Sequence, residues 1–434
     1  MNIKKACIAL LVICLLFGIT ACKPAETSQT DVPDVEDKEV KLSVLAWMPE
    51  YPDLMEQWAE GFNKQHPNYT ADIILMADSS SILQTKMASN DMPDAMSLTS
   101  GAFAWTVVDG GFTRDLSDTK SWKALLPTMQ EEGTSPGGVA GVVAQGLCST
   151  FIYYNADVFK ECGITEFPTN YDEFLEVCQV LKDNGHTPIS FPGADPNTIG
   201  NTTYSYALAN VLLKGDSSVQ ESIADGSYDW DANENSLADA YRRTVELTSL
   251  GFCNEGYQGT DGTTYLTLFV SGDAAMVFAG TWNAGNILDG GANFEIACAP
   301  APWNDKGEEM IGCISGETGW GLGKNEDPAV DAAAVAWLDY MSIGKGYQDY
   351  QNLAGTCCML TPAAIKEYNL NLVVDDRISK ALNDIQSHKC VSLYFNYMPA
   401  VLGGKQRYFS EIMIGDLTAE QAAKNGIADI KNAE

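Results

Sequence analysis

Leu268 to Gly285 reads L-F-V-S-G-D-A-A-M-V-F-A-G-T-W-N-A-G, and the fold follows from it. Ala274 to Ala279 is a short, wholly apolar run between Gly272-Asp273 and Gly280, the pattern of a parallel strand buried on both faces. Such a strand needs helices on either side. Beyond Gly280 the chain turns through Thr281-Trp282-Asn283 and becomes helix-like at Asn286-Ile287-Leu288. An indole therefore stands where the carboxyl end of a strand meets the next helix, which in open α/β sheets is where ligands bind. The plainer alternative for Trp282 is a core aromatic, and position alone leaves both open.

Outward from this stretch, strands alternate with helices. Val40 to Trp47 reads as a strand, and Pro52 to His66 as a helix with Leu54, Trp58 and Phe62 on one face. Ala71 to Met76 and Ser79 to Ser89 repeat the unit, and Pro93-Asp94 opens a third strand through Leu98. Alternation of this kind predicts a parallel sheet with right-handed crossovers. Asn170 is the expected cap of a helix, with Glu173 completing a capping box, Phe174, Cys178 and Leu181 as its buried stripe and Gly185 ending it. Ser236 to Leu250 is a further amphipathic helix ending at Gly251, Glu295 to Pro300 a strand, and Ala329 to Met341 a helix. A chain of 434 residues exceeds one ordinary core, so two lobes with a cleft between them are expected.

The N-terminus has Lys4-Lys5, an apolar run from Ala6 to Ile19 that is short for a membrane span, then Ile19-Thr20-Ala21-Cys22. This resembles a bacterial lipoprotein signal, which makes Cys22 the lipidated residue and the first of the mature chain. Lys23 to Glu39 is polar, aromatic-free and broken by Pro24 and Pro33, a tether reaching at most roughly 60 Å. Removing residues 1–22 takes away Lys4 and Lys5 and no acid, which shifts the formal charge from −32 to −34. That charge excludes nucleic acid as a partner and favours a neutral or cationic ligand. Beyond Cys7, Cys14 and Cys22 the remaining cysteines show no metal-like grouping and no C-x-x-C, so most read as small buried apolar residues.

Catalytic patterns are sparse. His66, His186 and His388 stand far apart, without H-E-x-x-H spacing, and read as surface or helix-end residues. Gly133-Thr134-Ser135-Pro136-Gly137 formally matches a nucleophile elbow, but polar residues precede it where a buried strand is required, so a loop is expected. Asp229-Trp230-Asp231-Ala232-Asn233 begins like a calcium loop yet has Glu234 at the glycine position, and reads as a turn. No phosphate-binding G-x-x-x-x-G-K-[ST] occurs. No cofactor, metal or catalytic residue is therefore expected, although carboxylate pairs suited to glycoside hydrolysis do not display themselves in sequence.

Several segments carry a family resemblance. A-S-N-D-M-P-D-A-M from Ala88, G-G-F-T-R-D-L-S-D from Gly110, F-I-Y-Y-N-A-D-V-F from Phe151, P-T-N-Y-D-E-F from Pro168, F-x-x-G-x-A-A-M-x-x-x-G-x-W from Phe269, G-E-T-G-W-G-L-G-K-N from Gly316 and G-D-L-T-A-E-Q-A from Gly415 stand in order along the chain. Together they resemble the extracellular solute-binding proteins of ABC importers, in the carbohydrate-binding branch related to maltose-binding protein. The resemblance implies an α/β, two-lobe periplasmic-binding-protein-like fold of type II, each lobe a mainly parallel sheet flanked by helices, with three hinge crossings near Gly146, Gly316 and Thr356. Residues 40–145 plus 319–355 would form the N-terminal lobe and 146–318 plus 356–434 the C-terminal lobe. It further implies a monomeric, lipid-anchored receptor on the extracytoplasmic face that captures a carbohydrate and delivers it to ABC permease transmembrane subunits. Rival readings are a secreted glycoside hydrolase or lyase, and a polyamine or cation receptor of the same fold.

A sugar presents hydroxyls and an apolar C–H face, which suit carboxylates or amides and aromatic rings respectively. Of the nine tryptophans, Trp47, Trp282 and Trp320 fall at strand-to-loop junctions expected at the cleft. Trp58 and Trp337 lie on core stripes, Trp122 starts a helix, and Trp230 and Trp303 sit undecided in loops. Polar candidates in the same loops are Glu50, Asp78, Thr99, Ser100, Asp195, Asn197, Asn283 and Glu317. Tyr397 falls near a position where relatives often supply an aromatic. After Pro93-Asp94 the sequence has Leu98-Thr99-Ser100-Gly101, lacking the aromatic and acid found there in maltose-type receptors, so maltose itself is disfavoured.

Overall fold

Among the described residues thirteen strands build the sheets: β1 (Val40–Ala46), β2 (Tyr69–Leu75), β3 (Ala95–Leu98), β4 (Val143–Ala144), β5 (Leu147–Cys148), β6 (Thr150–Asn155), β7 (Ile189–Ser190), β8 (Met276–Gly280), β9 (Ile296–Ala299), β10 (Ile311–Cys313), β11 (Ser315–Gly316), β12 (Gly319–Leu322) and β13 (Lys389–Val391). The structure, a computed structural model, describes residues 38–47, 52–75, 79–224, 226–354, 358–373, 375–392 and 405–433. Cys22, the tether up to Asp37, Glu50, Asp78, Thr356 and Tyr397 lie outside them. No helix among the described residues is long and apolar enough to cross a membrane.

The first sheet is ordered β2-β1-β3-β12-β4. Asp94 locks its centre: the carboxylate accepts the Ser43 N–H and the Ser43 hydroxyl at 2.8 Å each, which sets β3 beside β1. The helix Pro52–Gln65 buries Leu54, Met55, Trp58 and Phe62 against this sheet, the face expected from its spacing. Trp320 does not reach the cleft. It lies on β12, opposite Ser97 of β3, and packs edge-on against Trp337 of the helix Pro328–Ser342 at 5.5 Å. Neighbouring strand residues point to opposite faces, and this one falls on the helix-covered side, with none of its surface exposed. The expectation of a ligand role for Trp320 is thereby corrected.

The second sheet is ordered β7-β8-β6-β9, and every residue of β8 is buried. β8 runs parallel to β7 but antiparallel to β6, with Ile152 opposite Phe278. The first sheet is mixed too, because β12 is antiparallel to both β3 and β4. Mainly parallel sheets were the expectation, and the difference has a topological cause. β6 and β12 are each the strand that follows a passage from one sheet to the other, and each runs against its neighbours. Apolar patterning reports burial on two faces and is blind to the direction of adjacent strands.

Around the second sheet Trp303 is buried against Tyr171, Phe174 and Phe278, and Trp230 against Tyr228, so both undecided tryptophans are core. Cys178 and Cys313 are buried there as well, and burial pushes both thiols well up. The helix Tyr171–Asp183 starts where expected, with Asn170 Oδ1 accepting Glu173 N–H at 3.1 Å. Glu173 reaches back one residue further than a standard capping box, to the N–H and hydroxyl of Thr169 at 3.0 and 2.9 Å.

The chain passes between the sheets at three places. The first two lie side by side, as β5 and β11 pair antiparallel with Cys148 opposite Ser315 and Leu147 opposite Gly316. The third comes later than the 355/356 boundary expected from sequence. Leu360 still bridges Leu125, and Leu126 N–H donates to Met359 O, both beside the first sheet. Val373 N–H still donates to Asn352 of the helix Lys345–Ala354, and only the helix Asp376–Gln386 packs on β9 and β10. Gly355 marks the expected boundary, but from Gln351 to Pro362 no charged residue separates these possibilities.

At the paired passages Glu132 accepts the Gly316 N–H at 2.7 Å, and its burial pushes the carboxyl above the usual carboxylate range against the smaller opposing effect of that bond. A carboxyl raised in the folded state contributes stability that is fully present below its unfolded value, about pH 4.3, and lost as pH rises through the folded value. Glu132→Gln keeps an acceptor for Gly316 without the charge. Thermal melts across pH should show the variant gaining on the parent as pH rises from about 4.3 toward neutrality, and a constant difference would mean Glu132 titrates normally. Trp320→Ala removes a fully buried indole and should lower stability by about 3–5 kcal/mol in urea titration. A loss under about 1 kcal/mol would contradict its core placement.

Candidate functional site

Sequence candidates from both sheets converge on the strand ends nearest the paired passages. Trp47 follows β1, half-buried over the apolar cluster of Leu45, Leu83 and Met96, and its N–H donates to Ser97 Oγ at 3.0 Å. That bond orients the residue leaving β1 by the side chain of β3. Two residues on, Thr99 Oγ1 lies 2.6 Å from Thr318 Oγ1, which joins the end of β3 to the turn between β11 and β12. Ser100 is buried beside it, and Gly101 follows at φ +154°, a backbone conformation that only glycine adopts comfortably, before the helix Ala102–Asp109 begins.

Glu317 connects this corner to the passages. Its N–H donates to Gly146 O at 2.8 Å, and its Oε1 accepts the Tyr350 hydroxyl from the helix Lys345–Ala354. The side chain is almost wholly buried, and through Tyr350 it braces the turn before β12. Gln351 of the same helix donates through Nε2 to Gln145 O, at the start of the first passage. One helix thus holds both passages from the side of the first sheet.

The same helix meets the second sheet. It packs against the turn Thr281–Asn283 and the helix Ala284–Leu288 that follow β8. Thr281 is fixed by backbone: its N–H donates to Ser149 O at 2.9 Å, and Ser149 Oγ donates to Cys313 O at 2.7 Å. Asn283 is buried, while Trp282 is half-buried, packed on the core on one side. An apolar ring and adjacent amide held on a rigid turn can offer stacking and hydrogen bonding together, the pair of contacts a neutral polyol needs.

Other candidates have structural employment. Asp195 caps the short helix Pro196–Ile199, its Oδ1 accepting the N–H groups of Asn197 and Thr198 at 3.1 Å and its Oδ2 the Thr198 hydroxyl at 2.7 Å. Asn197 is exposed at the start of that helix. In the elbow-like loop, Ser135 donates to Asp109 and accepts Val139 N–H at 3.2 Å, and Thr134 bridges Ala140, so it is a closed turn as expected. Asp229 accepts Ala232 N–H at 3.0 Å, which makes its segment a turn as well. His66 stacks at a helix end between Phe62 and Tyr69, and burial lowers its pKa. Among the described residues no three His, Cys, Asp or Glu are grouped to hold a metal ion.

Tyr350, Thr318, Ser97 and Glu132 were missed by sequence reasoning. Only Thr318 carried a usable signal, as the residue between Glu317 and a strand that returns to the first sheet. Tyr350 stands on an ordinary amphipathic helix, and nothing local marks it as the partner of Glu317.

Comparison with known proteins fits this geometry. The family model for bacterial extracellular solute-binding proteins matches residues 46–342. The multiple sugar-binding protein of Streptococcus mutans is 21% identical over 351 residues, 80% of this chain and 79% of that protein. A solved chitin oligosaccharide binding protein aligns with a TM-score of 0.78 at 20% identity, covering 91% of this chain and 100% of that one. RafE in complex with raffinose aligns with a TM-score of 0.74 at 19% identity, covering 89% and 97%. The structural likenesses carry the two-lobe α/β fold. With a family match over more than half of its length, the chain belongs to the bacterial extracellular solute-binding proteins.

Proposed function

We propose that the chain is the receptor of an ABC importer, that it captures a carbohydrate between its two lobes, and that it works by closure about the paired passages. The observation that carries this reading is the placing of Trp47 and Trp282, both half-buried, at the strand ends of different sheets, with the turn of Trp282 packed against the helix that braces both passages. Aromatic faces suit the C–H surface of a sugar ring, and Thr99, Ser100 and Asn283 supply hydroxyl and amide groups of the kind that pair with its hydroxyls. The relatives named for multiple sugars, raffinose and chitin oligosaccharides support a sugar over a polyamine. Family membership puts the receptor outside the cytoplasm, and the Ile19-Thr20-Ala21-Cys22 segment supports anchoring through Cys22, with 23–39 as the tether.

In this reading the first lobe comprises residues 40–145 and 319 to about 373, the second the remainder, and the receptor acts as a monomer without catalytic activity. Gly146 precedes the ribbon of β5 and β11 and Gly316 ends it, where modest φ/ψ changes would swing one lobe against the other. A dissociation constant near about 1 μM corresponds to about −8 kcal/mol, within reach of two stacked rings and several hydrogen bonds after ordering costs.

Calorimetry against raffinose, chitin oligosaccharides and simple hexoses, with small-angle scattering of free and bound forms, tests the proposal. A receptor that compacts on binding is expected; binding without compaction would sink the closure mechanism, and sugar turnover would favour the hydrolase reading. Trp282→Ala should weaken sugar binding by about 2 kcal/mol, roughly thirtyfold, with a nearly unchanged melt. A large loss of stability with affinity retained would make Trp282 a core residue instead.

A further inference from the structure

The residue beneath the indole is as informative as the indole. Gly280 ends β8 at φ −80° and ψ 163°, extended backbone that any amino acid adopts, so the glycine is not there for its torsion angles. A methyl group at its Cα would lie 2.3 Å from Trp282 Cζ2 and 2.4 Å from both Cε2 and Cη2. No real contact is that short, and all three of these nearest atoms belong to one ring. The six-membered half of the indole is therefore laid over the bare Cα of Gly280.

The backbone at this point has little freedom to retreat. Gly280 pairs with Thr150 of β6, and the next residue, Thr281, donates its N–H to Ser149 O at 2.9 Å. The ring is the softer member, since Trp282 is half-buried and its indole can rotate. Placing a side chain at position 280 would move the indole, leaving the strand where it is.

We infer that Gly280 is a positioning residue for the ligand-stacking face of Trp282: its missing side chain seats the indole in one orientation before the sugar arrives. This rests on the reading that Trp282 stacks on the ligand. A ring already fixed loses less rotamer freedom on binding than a free one, so the seat contributes to affinity without touching the sugar. The neighbouring glycine of the same stretch, Gly272, has a different reason, a φ of +84°.

The test is a double-mutant cycle with Gly280→Ala, Trp282→Ala and the double variant, read by titration with raffinose and chitin oligosaccharides, by near-ultraviolet circular dichroism and by thermal melting. Gly280→Ala should reduce affinity about tenfold or more and alter the dichroic band that Trp282→Ala removes, while the melt stays close to the parent's. In the Trp282→Ala background the methyl meets no indole, so the same substitution should change neither affinity nor melt; such non-additivity is the signature of a direct coupling. The inference is overturned if Gly280→Ala keeps both band and affinity, or if its effect is equal in the two backgrounds. Should Trp282→Ala bind these sugars as the parent does, the stacking reading fails and the functional half of the inference with it. An altered band in Gly280→Ala would then establish the ring seat alone. A Gly280→Ala chain that fails to fold where the double variant folds would support the seat, since only the indole differs between them.

Discussion

The short ladder between Leu147–Cys148 and Ser315–Gly316 carries two of the three passages between the sheets, and the functional geometry depends on it. A ribbon of two residues per strand is weak by itself, so neighbouring groups hold it. Glu132 accepts the Gly316 N–H, Gln351 donates to Gln145, and Glu317 is fixed between Gly146 and Tyr350. Each of these groups is a side chain of the first lobe or of the turn leading into it, and each takes a backbone or hydroxyl partner beside the passages. On the side of the second lobe the same segments are held by Ser315 Oγ against Ser392 Oγ and by Ile314 N–H, which donates to Val391 O. A buried carboxylate in such a place is tolerable because it accepts a hydrogen bond, and its raised pKa measures how incompletely that bond replaces water.

The distribution of tryptophans separates structure from site. Trp58, Trp303, Trp320 and Trp337 are fully enclosed, and packing of that kind contributes several kcal/mol per ring to stability. Trp47 and Trp282 keep part of their surface in solvent at strand ends. A half-exposed indole on a rigid turn offers less to the fold and more to a ligand. Gly280 sharpens the difference, because the strand ends in a residue without a side chain at the spot where the ring comes down.

Much of the frame was legible in the sequence. Apolar runs bounded by glycine, helical stripes such as Leu54, Trp58 and Phe62, and caps such as Asn170 are written in neighbouring residues, because burial of one face and satisfaction of helix-end N–H groups are local demands. Pro93-Asp94 is a short signal of the same local kind with a structural use: the carboxylate of Asp94 joins two strands whose pairing the sheet requires.

What only the tertiary structure decided were relations between distant segments. Trp320 and Trp282 look alike in sequence, each near the end or start of a strand beside a glycine, yet Trp320 lies on the strand itself, enclosed against a helix, and Trp282 on the turn after its strand, where it keeps part of its surface in solvent. Strand direction in β6 and β12 depends on where the chain has come from, and the late third passage depends on Leu360 finding Leu125. Glu317 was legible as an acid near the cleft, but its hydroxyl partner Tyr350 lies on a helix 33 residues away in sequence, and no spacing rule links them. Local chemistry is encoded in neighbouring residues, whereas the pairing of remote side chains exists only once loop closure has brought them together.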